Sequence, residues 1–458
     1  MREPMNAFDH AERLHRLVKH SLDSGTAASL EEAEAQFRGY RLQLEIGENA
    51  VNHPAHQTAL LTAVALARRV FLGGVTVSGP VATPLRVPFP LGPTLADALR
   101  QLGAGLCESL HTDCVLVTIG RSARPPPKGI HLRPVYAGWR AGVVPGQVES
   151  VLDTEPPMPL APMLAAALTI SEAYFHVRAE TAAAGRRSIG LSLWRPEQLD
   201  WTMTDDAPRL HLLPSRLWLI GLGHLGQAYL WALGLLPYPT TSGLELVLQD
   251  VDVVTPATES TSILSDANTI GLKKTRAMAD WAERRGFTTT LQERRFDTSF
   301  TRQEDEPALA LCGLDNALGR RALDRVGFKL VVEAGLGRGH RDFRSMRLHT
   351  LPGSRPAAEI WKGDAEPEDL TGREAYCKLV ADGSLDRCGV TLLAGKAVGA
   401  PFVGSIAACL AVSEVLRLLH GGILSQLIDL NLESVEHRTV VGRSDDFGSF
   451  NPGFVTLE

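Results

Sequence analysis

The segment Ile220-Gly221-Leu222-Gly223-His224-Leu225-Gly226 sets three glycines in a Gly-x-Gly-x-x-Gly spacing. Glycine is required where a backbone turns through positive φ or must lie close against a ligand, and a helix that opens directly afterwards presents unpaired N–H groups to a phosphate. The spacing therefore predicts a nucleotide site, without choosing between ATP and NAD. Gln249-Asp250-Val251-Asp252 follows at the end of the next strand, where a carboxylate can accept hydrogen bonds from ribose hydroxyls. A polar stretch then leads into Gly271-Leu272-Lys273-Lys274-Thr275, and a lysine at that helix start, either Lys273 or Lys274, balances triphosphate charge or is simply solvated. Finally, Leu311-Cys312-Gly313-Leu314-Asp315-Asn316-Ala317 sets an Asp-Asn pair just beyond a buried strand, with Arg320-Arg321 close behind. Asp315 there holds Mg²⁺ or orients a substrate carboxylate; a helix cap is the alternative.

These residues need strands to hold them and helices to separate the strands. From residue 216 the order is strand 216–220, helix from His224, strand 244–250, helix 271–285 and strand 308–313. Earlier, one or two amphipathic helices are predicted over 9–48, a helix over 56–69, a strand at 70–77, a helix over 94–110 and a strand at 113–120. The three prolines of 121–134 make a loop. Alternation of this kind predicts an α/β protein made of two tandem Rossmann-like, doubly wound domains, 1–205 and 206–458, with the boundary between about 178 and 214. An internal repeat agrees: 158–172 and 400–414 match at Pro159/Pro401, Ala165/Ala407, Ala166/Ala408, Leu168/Leu410, Ser171/Ser413 and Glu172/Glu414.

A chain of 458 residues with 44% apolar and 21% charged residues can bury more than one core. The net charge of −6 gives no general attraction to nucleic acid or anionic membrane, and neither is expected as a partner. The six cysteines form no Cys-x-x-Cys pair, so reduced thiols are expected, and the charged N-terminus lacks a signal-peptide core, so a cytoplasmic location is expected.

Gly-x-Gly-x-x-Gly, Asp-x-Asp, Gly-x-x-Lys and Leu-Asp-Asn in this order resemble the adenylation domain shared by ThiF and MoeB proteins and ubiquitin-activating enzymes, over about 210 to 435. The resemblance implies that Gly221, Gly223, Gly226 and Asp250 hold ATP, Lys274 meets the phosphates and Asp315 binds Mg²⁺, with Asp252, Lys273 and Asn316 beside them. One departure stands out. The family's Asn-x-x-Arg is Thr258-Glu259-Ser260-Thr261 here, and a hydroxyl cannot replace a guanidinium. Lys273, Arg320 and Arg321 are candidate substitutes.

In such enzymes a C-terminal glycine carboxylate is adenylated, and many members pass the acyl group to a cysteine before the last helix. Cys388, thirteen residues before Pro401 and beside Arg387, corresponds best; Cys377 is the runner-up, and the absence of any catalytic cysteine stays open. The apolar surroundings of Cys312 and Cys409 read as core. The family also works as a two-fold pair. Aligned at Gln57 and Gln227, the first half has Val51, His53 and His56 where the second has its glycines, which makes it an inactive copy completing the pair within one chain, with a homodimer still possible. Arg41, in Gly39-Tyr40-Arg41-Leu42-Gln43, is the candidate for the arginine that one family partner donates. The implied activity is ATP- and Mg²⁺-dependent activation of a small ubiquitin-like protein, with transfer to a ubiquitin-conjugating-type enzyme. The rivals are an enzyme that stops at the adenylate, an NAD-dependent oxidoreductase and a non-catalytic scaffold.

Overall fold

The computed structural model describes residues 11–108, 114–120, 129–149, 152, 155–239, 243–363, 368–443 and 450–457. Most of the proline loop, residues 121–128, and the end of the helix expected to 110 lie outside them. The first sheet contains β1 Leu42–Ile46, β2 Val75–Ser78, β3 Gly105–Leu106, β4 Val115–Ile119, β5 His131–Ala137, β6 Arg140–Pro145 and β7 Ile189–Ser192, in the order β3-β2-β1-β4-β5-β6-β7. After β8 Leu212–Pro214, the second sheet contains β9 Arg216–Ile220, β10 Glu245–Gln249, β11 Thr288–Gln292, β12 Leu309–Cys312, β13 Leu330–Leu336, β14 Ser345–Leu351, β15 Ser425–Asn431 and β16 Thr439–Gly442. Its order, β11-β10-β9-β12-β13-β14-β15-β16, repeats the first. In both sheets the first five strands of that order are parallel, as a doubly wound fold requires, and the rest are antiparallel. A short β17, Phe454–Thr456, pairs with β8.

Four helices fill the space between the sheets: α1 Pro54–Ala67, α2 Leu160–Val177, α3 His224–Leu235 and α4 Pro401–Leu419. Helices α1 and α2 pack together, as do α3 and α4, and α2 packs on α4. Helices α2 and α4 are long and apolar enough to cross a membrane, but 89% of each apolar window is buried here. Tyr174 and Phe175 of α2 meet Phe402 of α4 with ring centroids 5.7 and 5.8 Å apart, and Trp231 of α3 donates through Nε1 to Thr62 Oγ1 of α1 at 3.1 Å. One apolar core thus runs through both halves. Each fully buried Leu, Ile or Val in it contributes ~1.5–3 kcal/mol.

Two pairs of polar residues repeat with the topology. Gln57 Nε2 donates to Val51 O at 2.8 Å while its Oε1 accepts from Arg86 N at 2.7 Å; Gln227 Nε2 donates to Leu222 O at 3.2 Å while its Oε1 accepts from Leu264 N at 3.1 Å. Each glutamine ties the loop after its central strand to a distant crossover, which accounts for burying an amide completely. Likewise Glu172 of α2 accepts from Gly185 N and Glu414 of α4 from Ser425 N, both at 2.9 Å, each fixing the chain before a returning strand.

Several expected boundaries move. The charged stretch 9–48 contains helices Arg16–Ser24 and Leu30–Gly39, but then the central strand β1. Gln43 and Glu45 look like surface residues in the sequence, yet the parallel strands β2 and β4 flank β1 and both side chains are buried. The strand expected at 70–77 begins only at Val75, because Val70 and Phe71 close a turn after α1. The helix expected over 94–110 stops at Gln101, where Gly103 takes a positive φ of 88° and the chain enters β3.

Candidate active site at the switch point of the second sheet

Strand order reverses between β9 and β12, so the chain leaves those two carboxyl ends in opposite directions and opens a crevice. A cleft of about 510 Å³ lies there. Gly221 follows β9, Asp250 follows β10 and Gly313 to Asp315 follow β12, so the topology alone brings all three motifs to one place.

The glycines do different work. Gly221 has φ 82° and donates its N–H to Gln249 O at 2.9 Å, a turn that disfavours side chains. A Cβ on Gly226 would sit 2.0 Å from Gly221 O, so that glycine serves packing of helix on loop and does not line the cleft. A Cβ on Gly223 would meet no protein atom within 4 Å; it would project into open cleft. Asp250 secures the loop: its Oδ2 accepts from Leu222 N at 2.7 Å and its Oδ1 from Asp252 N at 2.8 Å. Lys274 stands 3.7 Å from Asp250 and 3.1 Å from Asp252 at the start of helix Lys274–Arg284. Asp315 lines the cleft and is exposed, and its carboxylate has no partner among the described residues.

Arg320 fixes the loop that presents Asp315. Its Nε and Nη2 donate to Leu314 O at 2.9 and 2.6 Å, and Nε lies 2.9 Å from the buried Glu333, which also meets His349. Arg320 therefore lines the cleft as a bracket with its charge already matched, and it is not a free substitute for the missing arginine. Arg321 points to the carbonyls of Trp361 and Lys362, and Lys273 donates to Val251 O at 2.5 Å; neither lines the cleft. Asn316 is the cap of helix Ala317–Arg320, accepting from Gly319 N at 2.7 Å. Arg41 is exposed just before β1 and does not line the cleft.

The cation that sequence reasoning missed is Arg16. Helix Arg16–Ser24 is a strap with seven buried residues. Arg178 of the first half donates to Ser21 Oγ at 2.9 Å, while Lys19 pairs with Asp23 and donates to Ala394 O at 3.1 Å. At its leading end Arg16 N donates to Ser260 Oγ at 3.2 Å, and the Arg16 side chain lines the cleft. The segment Thr258–Thr261, which lacks the family arginine, thus docks a strap that brings one. Arg294, Arg295, Arg338 and Lys396 also line the cleft and gave no motif signal. In all, seven Arg or Lys residues face four Asp or Glu residues around it, a local excess of positive charge on a chain of net charge −6.

The same segment is gripped from behind by the first half. Arg69, 4% exposed, donates to Glu259 O at 2.8 Å, Ser265 O at 2.5 Å and Ala65 O at 2.5 Å. Arg69→Leu removes three hydrogen bonds, although Ser265 O keeps the one from Arg68 Nη2 at 2.9 Å, and is expected to cost ~1–3 kcal/mol in urea unfolding, with weaker nucleotide binding.

Burial pushes the pKa of His15 down to about 4, of His20 to about 3, of His56 to about 4 and of His224, on the cleft wall, to about 4. The folded chain holds these histidines neutral, whereas the unfolded chain protonates them below about 6.5. The unfolded state then binds more protons, so stability is expected to fall as pH drops from about 6.5 towards 4, by up to ~1.4 kcal/mol per pH unit for each histidine. Urea midpoints at pH 7, 6 and 5 check this; a flat profile contradicts it.

All six cysteines are free thiols. Cys312 and Cys409 are fully buried, and burial pushes the Cys312 thiol up to about 12. Cys377 and Cys388 are exposed on helices Glu374–Ala381 and Arg387–Ala394 and do not line the cleft; in the resembled family that cysteine sits on a loop, whereas Cys388 is in the first turn of its helix. Helix Arg387–Ala394 nevertheless runs directly into Gly395–Ala400, which do line it.

Residues 213–422 match the family model for the BilD C-terminal domain, and residues 41–193 match that for the BilD N-terminal domain. The bacterial E1-like protein BilD of Collimonas sp. (strain OK412) is 46% identical over 422 residues, 91% of this chain and 90% of that one. The chain belongs to the BilD family. Among solved structures, E. coli MccB with MccA-N7isoASN is similar at 16% identity and a TM-score of 0.36, covering 50% of this chain and 65% of that one. E. coli tRNA N6-threonylcarbamoyladenosine dehydratase, TcdA, is similar at 16% identity and a TM-score of 0.30, covering 45% and 86%. The two BilD domain models fall on the two sheets described above, and the cleft is lined by residues of the second together with Glu12 and Arg16 from ahead of the first.

Proposed function

We propose that this BilD-family chain is an E1-like enzyme that uses ATP and Mg²⁺ to adenylate the C-terminal carboxylate of a small ubiquitin-like protein. The observation that carries the reading is the meeting of Gly221, Gly223, Asp250, Lys274 and Asp315 in one cleft that is richer in cations than in anions. The open space over Gly223 suits a phosphate, and the unpartnered carboxylate of Asp315 is a hard oxygen donor of the kind that binds Mg²⁺ together with substrate phosphates. A bound Mg²⁺ supplies neutralisation of phosphate charge.

In this reading the carboxylate oxygen attacks the α-phosphorus, a C(O)–O–P bond forms, the bond from that phosphorus to the bridging oxygen breaks, and pyrophosphate leaves with the electron pair. No proton moves, because the attacking group is already ionised. Lys274 and Arg16 stabilise the charge that builds on the phosphates, and Arg320 holds Leu314 O so that Asp315 stays aimed into the cleft. Intact mass spectrometry tests the step: the acceptor protein is expected to gain one AMP with the wild-type chain and none with Asp315→Asn.

Transfer of the acyl group to Cys388, with Cys377 as runner-up, and then to a conjugating enzyme, is the finer part of the proposal. It is supported by the helix that carries Cys388 running straight into the cleft wall. A thiol-labile adduct lost in Cys388→Ala is expected; adenylate without any adduct means an enzyme that stops at the first step. The first half is read as the inactive partner of an intrachain pair. There the glycine positions are Val51, His53 and His56, and the His56 ring bonds Tyr136 Oη. Its remaining work is mechanical, through Arg69 and the strap.

A further inference from the structure

We propose that Lys396 receives the terminal carboxylate of the acceptor polypeptide, and that Glu12 holds this place as a resident carboxylate until the tail displaces it. The proposal deepens the adenylation reading and rests on it.

Glu12 Oε1 lies 2.5 Å from Lys396 Nζ, and both side chains line the cleft with exposures of 19% and 28%, so a small ligand can reach the pair. The strap is docked beside the segment of Lys396 through Lys19 Nζ, which donates to Ala394 O at 3.1 Å. Glu12 precedes the strap, and Lys396 follows helix Arg387–Ala394 in the connection to α4. Lys274 stands by Asp250 and Asp252 at the glycine loop, and Arg320 is held by Glu333 and Leu314 O. The connection itself is Gly395-Lys396-Ala397-Val398-Gly399-Ala400, all six lining the cleft. Small side chains on both sides of the lysine leave room for an extended polypeptide end to lie beside it.

Exchange of one carboxylate for another keeps the ammonium paired throughout, so entry of the tail leaves no buried charge uncompensated. Burial works against ionisation of Glu12, but the neighbouring Lys396 and Arg16 hold its pKa below the usual carboxylate value, so it competes as an anion. When displaced, Glu12 remains beside Arg16 on the same strap, which couples tail entry to the arginine that faces the phosphates. Glu12 is a competitor and Lys396 a positioning residue; neither bonds to phosphorus.

The test uses the full chain, ATP·Mg and N-acetylglycylglycine as a minimal carboxylate tail, with its C-terminal amide as control. Pyrophosphate exchange gives KM and kcat, and amine-reactive labelling followed by mass spectrometry reports the accessibility of Lys396 without needing turnover. Glu12→Gln is expected to lower KM for the dipeptide about fivefold and Lys396→Met to raise it about tenfold, with kcat and KM for ATP within about twofold of wild type. Glu12→Gln added to Lys396→Met is expected to change nothing further. The free dipeptide, and not its amide, is expected to protect Lys396 from labelling. Unaltered KM in both variants together with equal labelling overturns the proposal while leaving adenylation standing. Protection of Lys396 by the free acid without any exchange supports the carboxylate site and overturns the adenylation reading. Parallel losses of kcat, ATP affinity and thermal midpoint in Lys396→Met, with Glu12→Gln silent, assign the pair a purely structural role and overturn the proposal.

Discussion

Gly223→Val is expected to weaken ATP binding about a hundredfold and leave the protein folded. The side chain it adds meets no protein atom within 4 Å of its Cβ position and so projects into the cleft. Residue 223 already has a φ of −82°, so no left-handed backbone stands in the way of a side chain. Valine places its methyl groups where phosphate oxygens must approach the N–H groups at the start of α3. A rise in Kd of about a hundredfold, ~2.7 kcal/mol, follows from losing those contacts, with a thermal midpoint near that of wild type. Gly226→Ala should act through the fold instead. Its Cβ would fall 2.0 Å from Gly221 O, so it disturbs the loop and is expected to lower the thermal midpoint as well as affinity. Titration of ATP·Mg by calorimetry, with melting curves on the same samples, separates the two. Nucleotide affinity unchanged in Gly223→Val places the phosphates elsewhere.

Arg16→Ala is expected to have the next largest effect, on turnover more than on binding. The second sheet supplies Lys274 close to Asp250 and Asp252, two carboxylates that offset much of its charge. Thr258 and Thr261 line the cleft where the resembled family has an arginine, and they bring none. Arg16, brought in by the strap, anchored at its backbone by Ser260 and steadied by a bond from its Nη1 to Ala11 O at 3.1 Å, is the cleft cation to which we assign the role of the missing arginine. Removing a preorganised group of this kind costs ~10²–10³ in kcat. Arg16→Lys should recover only part of that, because an ammonium lacks the planar donor fork. The accompanying expectation is that Ser260→Ala, which loosens the strap and leaves the guanidinium in place, lowers kcat far less. Steady-state adenylation rates for the three variants decide it. Equal losses in Arg16→Ala and Ser260→Ala would point to the strap as a whole and not to its arginine.

The second half was easy to read in the sequence and the first was not, for physical reasons. Strands β9, β10 and β12 are runs of apolar residues with glycine or aspartate directly after them, so the turn chemistry and the strand signal agree. Strand β1 alternates Leu42, Leu44 and Ile46 with Gln43 and Glu45, and only its neighbours β2 and β4 show that both of its faces are covered. The residues brought into the cleft by local sequence, Gly221, Gly223, Asp250, Asp252, Lys274 and Asp315, were legible for the same reason. Arg16, Glu12 and Lys396 were not, since each reaches the cleft through tertiary packing: the strap on Ser260, and the connection from helix Arg387–Ala394 into α4. Arg41 has the residue type expected of a donated arginine but stays exposed before β1, outside the cleft lining. Asn316, Lys273 and Arg321 illustrate a second limit. Each has a polar side chain of suitable type at suitable spacing, yet each is spent on a nearby backbone group: Asn316 accepts a helix-cap N–H, and Lys273 and Arg321 donate to carbonyls. Only geometry reveals that competition.

Exchange of labelled pyrophosphate into ATP, measured with the purified chain and a small protein ending in a free glycine carboxylate, bears most directly on the reading of the cleft. Exchange that requires Mg²⁺ and the free carboxylate, and that disappears in Asp315→Asn, is the predicted result. A chain that binds NAD(H) tightly and supports no exchange with any carboxylate-terminated acceptor would contradict it.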